Sequence, residues 1–238
     1  MTRSGAITLS RSRSGERADV SLGIAPVNVL RAADLDLLAA RVREAPPARL
    51  LVLTGLPKAF SAGVDVAEHR PEPAAIERML AAMRGALEAL VASPAATLAV
   101  VSGACLGGGA EIVAACDVVL AAEDARIGFP EIGLACFPPG AAALLPVRVG
   151  EARAIDWILT GRRVSGREAA EAGFASRAVP AARLAEEAEA LGAALEVLRG
   201  PRRDALARRL PAAEAAYRRL AGDADLERAV REFEARPR

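Results

Sequence analysis

Glu111 and Glu131 are the residues whose types and surroundings are best suited to chemistry. Glu111 follows a glycine run at residues 107–109, which comes after the apolar stretch 98–101, and Glu131 follows the sequence GFP. A strand followed by glycines and the start of a helix presents unobstructed backbone N–H groups to a developing negative charge. Two carboxylates beside such donors can activate water and transfer protons. The pattern therefore predicts an enzyme.

A second small-residue segment, FSAGVD at residues 60–65, follows another predicted buried strand. Open α/β folds place ligands at such strand ends. Taken alone, this segment fits an ordinary tight turn, and the glycine run fits close helix packing. Together, the two loops can each give one N–H to the same oxygen. An acyl thioester is the natural recipient, because polarising its carbonyl stabilises an enolate. The three glycines are contiguous, which departs from the GxGxxG pattern of nicotinamide-binding sites.

Composition excludes several other classes. The 238 residues are 53% hydrophobic, and 31 basic residues against 30 acidic ones give a net charge of +1, without the basic excess of a nucleic-acid binder. The three cysteines form no CxxC pair, which is typical of buried thiols in a reducing compartment. We find no apolar stretch long enough for a membrane span and no signal peptide. These features predict a cytoplasmic protein without membrane or nucleic-acid partners.

Hydrophobic periodicity predicts an α/β fold. The predicted strands are 6–11, 18–23, 49–54, 97–102, 117–121 and 174–179, and the predicted helices include 30–42, 76–91, a short one ending at Cys116, and 152–159. Strands alternating with helices at this spacing favour right-handed crossovers. Ser165 and Glu168 form a possible capping box. From residue 180 onward, Ala, Leu, Arg and Glu predominate, so we predict an α/β core at 1–180 and a helical region at 181–238, with breaks near residues 200 and 221.

At this point several segments together resemble the crotonase (enoyl-CoA hydratase/isomerase) superfamily. They are residues 59–66, 100–117, 127–149 and 158–179. The resemblance implies a crotonase-like (ClpP/crotonase) spiral of stacked ββα units. It also implies a C-terminal helical region that packs a homotrimer or a dimer of trimers.

The same resemblance assigns roles to individual residues. It implies that the N–H groups of Ala62 and Gly108 form the oxyanion hole for a thioester carbonyl. It also implies that Gly108 and residues 62–65 contact the bound coenzyme A; those residues are Ala62, Gly63, Val64 and Asp65. In hydratases of this family, glutamates at the positions of Glu111 and Glu131 activate water and transfer a proton at the α-carbon. Their joint presence favours hydration, a lyase reaction, over simple isomerisation. No metal or cofactor is implied, because coenzyme A belongs to the substrate.

A narrower resemblance concerns residues 60–66 with His69 and the sequence CFPP at 136–139. Both are similar to cyclohexa-1,5-diene-1-carbonyl-CoA hydratases, which implies that Phe137, Pro138 and Pro139 border an acyl pocket for a cyclic or bulky group. The tail departs from the family pattern: a lysine expected near the end is missing, and Arg228 replaces a usual glycine. Its contacts with the coenzyme A phosphates are therefore left open.

Three alternatives remain at the level of sequence. The same oxyanion hole serves isomerases, hydrolases and decarboxylases of acyl-CoA. A serine hydrolase would use Ser61 with His69, the single histidine of the chain, but no orienting acid is evident. A non-catalytic RNA-binding protein is disfavoured by the balanced charge and by an aromatic content of 3%.

Overall fold

A mixed α/β architecture appears in the computed structural model, which describes residues 4–13, 15–45, 48–68, 72–191, 200–221, 228, 230–232 and 235. Its strands are β1 (Ile7–Arg11), β2 (Arg17–Leu22), β3 (Val29–Leu30), β4 (Leu50–Thr54), β5 (Ala59–Ser61), β6 (Gly63–Val64), β7 (Ala96–Val101), β8 (Ala104–Leu106), β9 (Val118–Ala122), β10 (Arg126–Gly128), β11 (Arg163–Ser165) and β12 (Arg177–Val179). Its helices are α1 (Ala32–Glu44), α2 (Pro73–Ala92), α3 (Gly108–Ala115), α4 (Pro139–Val149), α5 (Glu151–Thr160), α6 (Gly166–Glu171), α7 (Leu184–Leu191) and α8 (Gly200–Ala221).

The main sheet has the strand order β1-β2-β4-β7-β9-β12. β1 and β2 form an antiparallel hairpin, and from β2 to β12 the neighbouring strands run parallel. β4 and β7 are buried along almost their whole length, as expected of parallel strands covered on both faces. The predicted strands and helices of this half are confirmed within a few residues at their ends.

A second sheet, β11-β10-β8-β5, and the short pair β3-β6 were not predicted from the sequence. These strands have two or three residues each, too few to show a hydrophobic period. They matter because they hold the loops that precede α3 and that follow β5. A Cβ atom on Gly103 would lie 2.0 Å from the Lys58 carbonyl oxygen, so this close approach of two loops requires glycine.

In the C-terminal half, the predicted helix breaks near residues 200 and 221 coincide with the two ends of α8. The capping box of Ser165 and Glu168 is present at the start of α6, and α8 runs from Gly200 to Ala221. The predicted strand 174–179 is shorter than expected, because the Ala175 N–H donates to Ala169 O in α6 and only Arg177–Val179 pairs with β9. The division at residue 180 and the trimer-forming role of the tail stay predictions.

The helices α3 and α4 lie with their N-termini together and their C-termini together. In the first turns, the Ala141 N–H donates to Glu111 Oε1 at 2.9 Å. In the last turns, the Arg148 guanidinium donates to the carbonyl oxygens of Ala114 (2.9 Å) and Cys116, and it also reaches Phe174 O at 3.1 Å. Arg148 thus satisfies helix-end carbonyls that have no intrahelical partner.

We expect Arg148→Met to lower the free energy of unfolding by roughly 2–4 kcal/mol, because it leaves several partly buried carbonyl groups without a donor. Urea unfolding followed by circular dichroism measures the change. Arg153→Met is the matched control: Arg153 donates to one exposed carbonyl, that of Ala172, and should change stability by about 0.5 kcal/mol or less. Equal effects of the two substitutions would contradict the role given to Arg148.

Candidate active site

Glu111 lies in the first turn of α3, and its residue is only 3% exposed. Its carboxylate accepts the Ala141 N–H, and the backbone of Gly140 contributes a second stabilising hydrogen bond. Both donors belong to the start of α4, where the first N–H groups have no intrahelical acceptor. Burial raises the pKa of Glu111 to about 7, and these two hydrogen bonds act in the opposite direction. Glu111 is therefore a buried acid that titrates near neutral pH.

Glu131 lies in the short 3-10 helix Pro130–Leu134. The segment turns back at Ala135, which has a left-handed φ of 55°, and the Cys136 N–H then donates to the Glu131 carbonyl oxygen at 3.3 Å. The side chain points at α3: a Cβ atom on Gly107 would lie 2.6 Å from Glu131 Oε1. Glu131 Oε2 is buried and has no hydrogen-bond partner among the described residues. That oxygen is therefore an acceptor available to a ligand or a water molecule.

The two carboxyl groups share one site. The pKa of Glu131 is raised well above its ordinary value, first by burial and then by the negative charge of Glu111. Glycines make room on both sides, since a Cβ atom on Gly140 would lie 2.9 Å from Glu111 Oε1. Two interacting acids in such a place titrate as a pair. Because Glu111 holds the hydrogen bonds from α4, the remaining proton belongs preferentially on Glu131.

Two backbone N–H groups meet beside these acids. Gly108 is the first residue of α3, so its N–H has no intrahelical acceptor. The Asp65 N–H donates to Leu30 O in the β3–β6 pair, and N–H groups of successive strand residues point to opposite sides. The Val64 N–H therefore points away from β3. Val64 N also lies close to the start of α3, since a Cβ atom on Gly108 would lie 3.7 Å from it.

The prediction that Ala62 supplies an oxyanion donor conflicts with the structure. The Ala62 N–H already donates to the Val27 carbonyl oxygen at 2.9 Å. The sequence suggested the loop correctly but not the residue, since the register depends on the two-residue strands β3 and β6. No sequence pattern reveals pairing that short.

Ser61 is part of the structural support of this loop. Its buried hydroxyl donates to Asn28 O at 2.7 Å and accepts the Gly63 N–H at 3.0 Å. Gly63 itself has a φ of 104°, a conformation that favours glycine. His69, the base in the serine-hydrolase hypothesis, lies outside the described residues. The engaged hydroxyl of Ser61 argues against its use as a nucleophile.

The remaining predicted site residues lie around this centre. Asp65 pairs with Arg31 (Nε to Oδ2, 3.2 Å) beyond Val64. Phe137 is half-buried next to the buried Pro138 and Pro139, which lead into α4. Their contacts with coenzyme A and with an acyl group stay predictions.

Among the residues that the structure describes, no group of three or more His, Cys, Asp or Glu side chains is placed to hold a metal ion. No described helix is both long and apolar enough to cross a membrane. The absence of a cofactor requirement stays a prediction.

Comparison with known proteins identifies the family of this chain. A sequence model of the family described as enoyl-CoA hydratase/isomerase matches residues 31–228. A cyclohexa-1,5-dienecarbonyl-CoA hydratase from Thauera aromatica is 42% identical over 125 residues, which cover 52% of this chain and 48% of that protein. A Mycobacterium leprae protein that carries the name enoyl-CoA hydratase is 34% identical over 190 residues, which cover 79% of this chain and 70% of that protein.

Solved structures confirm the predicted crotonase-like fold. The crystal structure of an enoyl-CoA hydratase from Mycobacterium avium subsp. paratuberculosis superposes with a TM-score of 0.81, covering 97% of this chain and 100% of that chain. The identity of 23% limits this likeness to the fold. The chain spans about half the length of several curated relatives that it matches, 48% of the Thauera protein and 56% of one from Rhizobium meliloti.

We expect the buried carboxyl of Glu131 to lower the stability of the fold as pH rises. Below the ordinary pKa of 4.5 both states are protonated and no cost arises. Above it the unfolded chain ionises while folded Glu131 stays protonated, so stability is lost until the pH passes the raised pKa. The stability of Glu131→Gln relative to wild type should therefore increase as the pH rises above 4.5, until the pH passes the raised pKa of Glu131.

Urea unfolding at a series of pH values measures this difference. Glu171→Gln, at an exposed position, controls for the removal of one carboxylate. A gain for Glu131→Gln that is the same at every pH would show that the carboxyl is not desolvated.

Proposed function

The chain belongs to the enoyl-CoA hydratase/isomerase family, and on that premise we propose that it adds water across the conjugated double bond of an enoyl-CoA thioester. The observation that carries the proposal is the shared burial of Glu111 and Glu131 beside the N–H groups at the start of α3. An isomerase needs to move one proton at a time, whereas hydration needs both a base for water and an acid for carbon. A pair of acids that holds one proton supplies both the base and the acid that hydration needs.

The N–H groups of Val64 and Gly108 are the proposed oxyanion hole. Val64 replaces Ala62 in this role, because the Ala62 N–H is occupied by Val27 O. When water attacks the β-carbon, the electrons of the double bond move onto the thioester oxygen, and two backbone donors stabilise the resulting enolate. Alignment with the positive end of the α3 dipole adds to this effect.

The two glutamates divide the proton transfers. Ionised Glu111, held by the start of α4, accepts a proton from the water as its oxygen bonds to the β-carbon. Protonated Glu131 gives its proton to the α-carbon as the enolate collapses. One hydroxide equivalent and one proton have then been added, and the proton lost by Glu131 is replaced in the pair by the one that Glu111 gained. The free Oε2 of Glu131 is where we place the hydrogen bond to the reacting water.

The acyl group is proposed to be cyclic or otherwise bulky. Support comes from the similarity to the Thauera cyclohexa-1,5-dienecarbonyl-CoA hydratase and from Phe137, Pro138 and Pro139 beside the carboxyl pair. Pro138 and Pro139 are rigid and buried, so this wall has little freedom to adapt to different chains.

Glu111→Gln and Glu131→Gln are each expected to reduce kcat for hydration by about 10²–10⁴-fold, because each removes one general acid–base group. Loss of the conjugated thioester's ultraviolet band measures the rate, and isotopic water shows whether oxygen enters the product. Glu171→Gln is the control: Glu171 is an exposed residue at the end of α6, so this variant should keep wild-type turnover.

The product distinguishes the reactions that share this kind of site. Double-bond migration without incorporation of solvent oxygen would identify an isomerase, and release of free coenzyme A would identify a hydrolase. Full turnover in both glutamine variants would remove the carboxyl pair from the mechanism altogether.

A panel of thioesters tests the acyl preference. We expect kcat/KM for cyclohexa-1,5-diene-1-carbonyl-CoA to exceed that for crotonyl-CoA by about tenfold or more, since a filled pocket contributes roughly 1–3 kcal/mol. Competition between the two substrates in one reaction gives the ratio directly. A preference for crotonyl-CoA would overturn the cyclic assignment and leave the hydratase proposal in place.

A further inference from the structure

A small apolar cluster lies apart from the main core and next to the carboxyl pair. Its buried members are Ile76, Leu80, Cys136, Tyr217 and Val230, and the half-buried side chains of Val66, Leu134 and Phe137 pack against it. Phe137 belongs to the predicted acyl pocket, and Val66 directly follows the segment predicted to bind coenzyme A. The cluster therefore connects both regions that a bound acyl-CoA would touch.

Tyr217 is the member of this cluster that the C-terminal helix contributes. It is 4% exposed, and its ring meets Phe137 edge-on, with centroids 6.2 Å apart and planes at 67°. Its hydroxyl is hydrogen-bonded to the side chain of Cys136, whose thiol donates to the Glu131 carbonyl oxygen at 3.5 Å. Burial raises the pKa of the phenol, and the nearby charge of Glu111 raises it further, in agreement with the position of the ring beside the carboxyl pair.

Ion pairs hold this turn of α8 against α2 of the same chain. Arg84 binds the carboxylate of Glu214 through two nitrogens, with Nε to Oε1 at 2.8 Å, and Glu214 is only 3% exposed. Arg218 binds Glu77, with Nη2 to Oε2 at 3.0 Å. Residues 214 and 218 flank Tyr217 within one helical turn on either side. A partly buried two-nitrogen pair fixes geometry well, so the position of the ring is determined by its own subunit.

We propose that Tyr217 closes the far end of the acyl pocket in its own subunit and thereby limits the size of the acyl group. The inference rests on the proposed use of an acyl-CoA. The α- and β-carbons lie between the two carboxyl groups, and an acyl group extending past Glu131 and Phe137 meets the Tyr217 ring. The volume of the ring limits the length of the acyl group, and the hydroxyl group already has a hydrogen-bond partner in Cys136.

The test is binding of saturated, unreactive thioesters to the full chain. Butanoyl-CoA, hexanoyl-CoA and decanoyl-CoA are titrated calorimetrically into wild type, Tyr217→Ala and Tyr217→Phe. We expect Tyr217→Ala to strengthen decanoyl-CoA binding relative to butanoyl-CoA by about tenfold, the effect of burying about two further methylene groups. Tyr217→Phe keeps the ring and should keep the wild-type ratio.

Leu210→Ala is the matched control, because Leu210 is also a buried residue of α8 but packs in the main core. It should lower stability without changing the ratio. If Tyr217→Ala does not fold, Tyr217→Val opens part of the same space and serves in its place. The proposal is overturned if the affinity ratio of decanoyl-CoA to butanoyl-CoA in Tyr217→Ala or Tyr217→Val stays within about twofold of the wild-type ratio. It is also overturned if Tyr217→Phe or Leu210→Ala changes this ratio as much as Tyr217→Ala does.

Binding does not require turnover, so the two proposals fail separately. A shifted ratio in a protein that hydrates no enoyl-CoA would defeat the hydratase assignment and leave Tyr217 as the end of the pocket. Hydration with an unchanged ratio would defeat only the role of Tyr217. A wild-type protein that binds none of the three thioesters would overturn both.

Discussion

Burial of two neighbouring acids is the constraint on which the rest of the site depends. A buried carboxylate is costly unless donors compensate for the lost water, and a second one nearby adds repulsion. Hydrogen bonds from the N–H groups of Gly140 and Ala141 offset the loss of water around the Glu111 carboxylate. Glu131 avoids the cost of a second buried charge by keeping its proton. The arrangement holds one negative charge and one transferable proton in the same small space.

The fold supplies this arrangement through a pair of helices set in parallel. Glu111 and Ala141 join α3 and α4 at their first turns, and Arg148 joins them at their last turns. Both helix N-termini consequently point at the carboxyl pair, where their dipoles favour negative charge. Gly107 and Gly140 leave room for the carboxyl pair, since a Cβ atom on Gly107 would lie 2.6 Å from Glu131 Oε1 and one on Gly140 would lie 2.9 Å from Glu111 Oε1.

The sequence predicts those elements that are long enough to show a hydrophobic pattern and misses the contacts that depend on short strands or on tertiary packing. The long helix α2 and the buried strands β4 and β7 have clear hydrophobic patterns, and the glycine run before Glu111 marks a strand-to-helix turn. The choice between Ala62 and Val64 depends on the pairing of β3 with β6, which is too short to leave a pattern. Tyr217 reaches the site through tertiary packing with segments that are distant in the sequence, and an isolated tyrosine in an arginine-rich helix gives no signal of that contact.

A crystal structure with an unreactive acyl-CoA bound is the decisive test of the proposed site. We expect the thioester oxygen to lie about 2.7–3.1 Å from both Val64 N and Gly108 N. We also expect the carboxyl groups of Glu111 and Glu131 to face the α- and β-carbons from the same side of the acyl chain. A thioester oxygen bound away from these two nitrogens, or carboxyl groups on opposite sides of the acyl chain, would contradict this proposal.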